Sequence, residues 1–88
     1  MTPPAALPRA EHQALVAVAR ENVYRSYEGA IWRIGRGRYN MRCDTAVRAL
    51  MSRGLVEEPP EGASFYRLTD DAEPYLRQPE PTYLGGTA

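Results

Sequence analysis

Eighty-eight residues, 43% of them hydrophobic, make one small folded domain and exclude both a multidomain chain and wholesale disorder. No stretch approaches the roughly 20 apolar residues of a membrane span, and the opening segment Met1–Pro8 lacks the cationic and apolar regions of a signal peptide, so a soluble cytoplasmic protein is expected. The single cysteine, Cys43, excludes an internal disulfide, and with the single histidine, His12, it offers too few ligands for a zinc site; no metal and no cofactor are expected.

Eleven acidic residues balance eleven basic ones, and every basic residue is arginine. The charges are segregated: residues 20–53 carry eight arginines against three carboxylates, a net +5, and residues 54–88 carry two against seven, a net −5. Each guanidinium is a planar, permanently charged fork suited to phosphate or guanine edges. A basic middle and an acidic end could present one nucleic-acid-facing surface, or the two halves could pair with each other.

In chain order, residues 1–8 contain Pro3, Pro4 and Pro8 and residues 78–88 are rich in proline and glycine, so both ends are expected to be loose around a folded domain over 9–77. A first helix is expected over Ala10–Glu21, with Ala14, Leu15, Val18 and Ala19 on its buried face, His12 exposed and Asn22 as a left-handed stop. Residues 23–39 allow two readings. As a hairpin, Val23–Tyr27 and Ala30–Ile34 are strands joined near Glu28-Gly29; as a helix, Gly29 costs about 1 kcal/mol in its interior, so strands are preferred. Gly35-Arg36-Gly37-Arg38 then forms a cationic loop.

The clearest element is a helix over Met41–Arg53, with Asn40 as its N-cap. At 100° per residue, Cys43, Ala46, Val47, Leu50 and Gly54 share one side, while Met41, Thr45, Arg48 and Ser52 stand opposite and Arg42, Ala49 and Arg53 lie along a flank. Gly54 is suited to a positive φ at the helix end, and Leu55 can fold back onto the core. Strands over Leu55–Glu58 and Ala63–Leu68 flank a Pro59–Gly62 turn, and Thr69 is expected to cap a short last helix that Pro74 forces to start late or bend.

The run Thr45-Ala46-Val47-Arg48-Ala49-Leu50-Met51-Ser52-Arg53-Gly54-Leu55-Val56, followed by Tyr66-Arg67-Leu68-Thr69-Asp70, resembles the winged helix-turn-helix family of bacterial and phage DNA-binding proteins. The match covers about 30 residues of helix end, wing and entry into the last helix. It departs from the family over residues 23–39, where the family's second helix would lie and this chain has strand propensity. The resemblance implies an α+β, winged-helix-like fold with about three helices, a wing hairpin and here an extra hairpin over 23–34. It also implies a transcriptional regulator that binds double-stranded DNA through helix 41–53, with a homodimer as one arrangement.

On that reading Arg48, Thr45 and Ser52 address base edges in the major groove, and Arg36, Arg38 and Arg42 neutralise phosphates beside it. The wing tip, Pro59–Ala63, would lie near the backbone, although Glu57, Glu58 and Glu61 make it acidic. Trp32, Tyr24 and Phe65 are expected to fill the core, with stacking on bases as the alternative. Cys43 reads as a quiet core thiol, and the isolated His and Cys make no nucleophile–base pair, so an enzyme is not expected. The rival reading is a protein-interaction module, a small adaptor or inhibitor using the same fold to bind a larger protein, with Tyr83 and Leu84 as a partner-binding arm.

Overall fold

The computed structural model describes residues 6–35 and 40–77, and over these the chain is a small α+β domain of three helices and two small antiparallel sheets. The first helix, α1 (Arg9–Ala19), begins directly after Pro8, whose carbonyl accepts the His12 N–H at 2.9 Å. Its buried arc is wider than the expected stripe, taking in His12, Ala14, Leu15, Ala17 and Val18, because α1 packs against the second helix, the first strand, the last strand and the last helix. His12 is therefore buried rather than exposed, and Ala19, in the final turn, is exposed rather than buried. Leu7, inside the 1–8 stretch expected to be loose, is also in the core.

The helix stops in a Schellman arrangement, with Glu21 N–H donating to Val18 O at 3.0 Å and Asn22 N–H to Ala17 O at 2.9 Å. The left-handed residue is Glu21 (φ 59°), not the expected Asn22. The turn has to come one residue earlier for Val23, fully buried, to enter the core.

The preferred hairpin is present. Strands β1 (Val23–Arg25) and β2 (Ile31–Ile34) pair antiparallel, Tyr24 opposite Trp32, around a Ser26–Gly29 turn in which Gly29 (φ 88°) donates to Ser26 O. A third strand, β3 (Asn40–Arg42), pairs with β2, Trp32 opposite Arg42, giving the order β1-β2-β3. This corrects the expected start of the long helix. Helix α2 runs over Asp44–Ser52, and residues 40–42 are strand, because backbone pairing with β2 outweighs the capping preference of Asn40. The Asn40 amide instead donates to the Tyr24 hydroxyl at 2.9 Å, and the chain turns into α2 where Cys43 N–H meets Ile31 O at 3.0 Å.

Helix α2 ends as expected at Gly54 (φ 76°), with Gly54 N–H on Met51 O and Leu55 N–H on Leu50 O, both at 3.0 Å. Leu55 then folds inward, 2% exposed. Strands β4 (Val56–Glu57) and β5 (Arg67–Leu68) form the second sheet, shorter than expected because the returning chain is shared. Residues 64–66 attach to β1 through Arg25 N–H on Ser64 O and Tyr66 N–H on Val23 O, and Phe65 bridges Tyr24. Thr69 makes no cap; its hydroxyl donates to Gly54 O at 2.6 Å and ties the α2 exit to the chain after β5. A 3-10 turn (Asp70–Ala72) precedes α3 (Glu73–Leu76), which starts late, so that Pro74 sits in its first turn where no N–H is needed.

Candidate nucleic-acid interface

Helix α2 is about 14 Å long, nine residues at the standard rise. Val47 and Leu50, both fully buried, fix its inward side, and Cys43 and Ala46 pack partly against the same core. That orientation leaves Thr45, Arg48 and Ser52 exposed together on the outer side, as their spacing in the sequence requires. Arg48 takes part in no ion pair among the described residues, so its guanidinium is available to a ligand.

Arg42 is placed differently from the expected flank of α2. It belongs to β3, where its Nε donates to Asp44 Oδ1 at 2.6 Å and its guanidinium carbon lies 5.3 Å from the centre of the Trp32 ring. Asp44 Oδ2 accepts the Ile31 N–H at 3.1 Å, so one carboxylate joins β2, β3 and the first turn of α2. The Arg42 bond, and after it the Ile31 N–H, hold the Asp44 carboxyl below the ordinary carboxylate range. Arg36 and Arg38 lie outside the described residues.

Arg25, which sequence reasoning passed over, is exposed at the end of β1. Burial pushes the Tyr66 phenol up, while Arg25 and Arg48 pull against it and Glu58 and Asp44 reinforce it. Nothing in the local sequence marks Arg25, since residues 64–66, which pair beside it, are distant in sequence. Arg53 at the end of α2 is tied back to α1, its Nε donating to Glu11 Oε1 at 2.7 Å. Of the pairs Arg42–Asp44, Arg53–Glu11 and Arg77–Glu73, none joins the basic stretch 20–53 to the acidic stretch 54–88.

The remaining chemistry is quiet. Cys43 is half-buried, its Sγ donates to Ile31 O at 3.7 Å, and burial pushes its thiol up, away from the reactive thiolate. Among the described residues no cluster of three His, Cys, Asp or Glu side chains could hold a metal ion, and no helix is long and apolar enough to cross a membrane. No protein-family model matches the chain, and neither a curated protein nor a solved structure matches it significantly.

Proposed function

We propose that the chain is a small winged-helix-like protein that binds double-stranded DNA, a transcriptional regulator in which α2 enters the major groove. The observation that carries this reading is the outward face of α2, where Thr45, Arg48 and Ser52 stand exposed in line on a helix whose other side is anchored by Val47 and Leu50. An arginine so placed can grip a guanine through two hydrogen bonds, and the two hydroxyls can address neighbouring base edges or phosphates. Arg25, exposed at the end of β1 and sharing the side of the sheet of its partner Ile31, is assigned a phosphate contact, and Arg36 and Arg38 the same task. The antiparallel pair β4–β5, directly after α2, supports the reading of that segment as a wing.

The test is a duplex-binding titration over a salt series with the Arg48→Ala variant. Arg48→Ala is expected to weaken binding about tenfold or more with an unchanged circular dichroism spectrum, while Arg36→Ala/Arg38→Ala flattens the salt dependence. Equal affinity of parent and Arg48→Ala would overturn the groove assignment.

The competing reading, a protein-interaction module, has its own support in a groove of about 570 Å³ between α1 and α2. Its small side chains (Ala10, Ala14, Ala46 and Ala49) lie beside Arg33 and Arg42. A partner held there would leave the Arg48→Ala variant unaffected.

A further inference from the structure

The sheet face turned away from the helices carries a row of rings. Cross-strand partners project to the same side of a sheet. The register of Phe65 with Tyr24, Tyr24 with Trp32 and Trp32 with Arg42 therefore sets these four side chains abreast. Val23 and Ile31, of the opposite parity, point into the core. The expectation that Trp32, Tyr24 and Phe65 fill the core is thus not met: Phe65 is 42% exposed, Tyr24 and Trp32 are half-buried, and none belongs to the buried cluster.

The row is ordered. The Tyr24 and Phe65 ring centres are 6.0 Å apart and tilted by 56°, the Asn40 amide pins the Tyr24 hydroxyl, and Arg42 lies over Trp32. A shallow depression of about 600 Å³ beside it is lined by Tyr24, Arg25, Tyr27, Ile34 and Phe65 among others, with Tyr27 fully exposed. Arg42 sits at the Trp32 end of the row, whereas Arg25, partner of the buried Ile31, projects to the other side of the sheet. Asp44 engages only Nε of Arg42, although Glu28 also lies within its electrostatic reach. Partly exposed, fixed rings beside a guanidinium match a chain of flat bases strung on phosphates.

We propose that this face binds single-stranded DNA or RNA, with unpaired bases stacking on Phe65, Tyr24 and Trp32 and a phosphate meeting Arg42. It is separate from the α2 face and does not depend on duplex binding there.

Trp32 is the sole tryptophan, so its emission reports occupancy directly. Titration of the full chain with an oligothymidylate of about a dozen nucleotides is expected to quench Trp32 saturably. Phe65→Ala and Tyr24→Leu should each weaken binding about fivefold or more, Tyr24→Phe should retain most of it, and Arg48→Ala should change it by less than about twofold. Circular dichroism controls for folding, and Phe65→Ala, at an exposed position, decides the matter if Tyr24→Leu does not fold. Absence of binding, or binding indifferent to Phe65→Ala, overturns the proposal. Self-association in sedimentation that Phe65→Ala abolishes also overturns it, by assigning the face to a second copy. A protein that binds oligothymidylate but no duplex would refute the α2 reading alone.

Discussion

His12 offers the sharpest test of the packing. It is 4% exposed on α1, and neither ring nitrogen has a hydrogen-bond partner among the described residues. A buried polar group left unpaired carries a desolvation penalty of about 1–3 kcal/mol. His12→Leu keeps a side chain of similar bulk in the same pocket and removes both nitrogens, so the variant should be more stable by about 1–2 kcal/mol. For a domain of this size that raises Tm by about 4–8 °C per kcal/mol. Urea unfolding followed by helical circular dichroism would read it as a higher midpoint at unchanged slope. His12→Ala, which opens a void at a buried position, should fall below the parent and so separates the polar contribution from the packing one. A His12→Leu protein less stable than the parent would refute the reasoning, because the ring must then be making a hydrogen bond worth more than its burial costs.

Helix ends give a paired prediction: Gly54→Ala forces a side chain into φ 76° and should cost about 1–2 kcal/mol, whereas Glu21→Gly relieves φ 59° and should gain up to about 1 kcal/mol, both by chemical denaturation. Asp44→Ala leaves the N–H of buried Ile31 without its carboxylate and should cost about 1–3 kcal/mol. Because the folded Asp44 carboxyl is held below its ordinary value of 3.8, its contribution is complete well above that pH and is lost as pH drops below it through the lower folded-state value. The stability difference between parent and Asp44→Asn should therefore narrow in acid, as measured by urea titrations between neutral pH and pH about 3. Leu50→Ala, at a fully buried position, should cost about 3–5 kcal/mol against a total of about 4–10 for some 70 residues, and thermal melts should show a largely lost transition.

Local chemistry was legible in the sequence wherever a residue's role depends on its immediate neighbours. The inward side of α2 at Val47 and Leu50, its end at Gly54 with Leu55 folding back, the Glu28-Gly29 turn and the late start forced by Pro74 all follow from backbone geometry and helical or strand period. The outward alignment of Thr45, Arg48 and Ser52 follows from the same period.

Tertiary structure decided what propensity leaves open. Asn40-Met41-Arg42 has a good helix start in Asn40, yet β2 lay unpaired beside it, and the hydrogen bonds of a third strand outweighed one cap. That single shift moved Arg42 from the side of a helix to the top of Trp32. The burial of His12 likewise comes from contacts distant in sequence. So does the outward row of rings, because hydrophobic content alone does not say which side of a sheet two helices will cover. The period of a segment sets which residues point together; the segments that pack against it decide whether they meet protein or water.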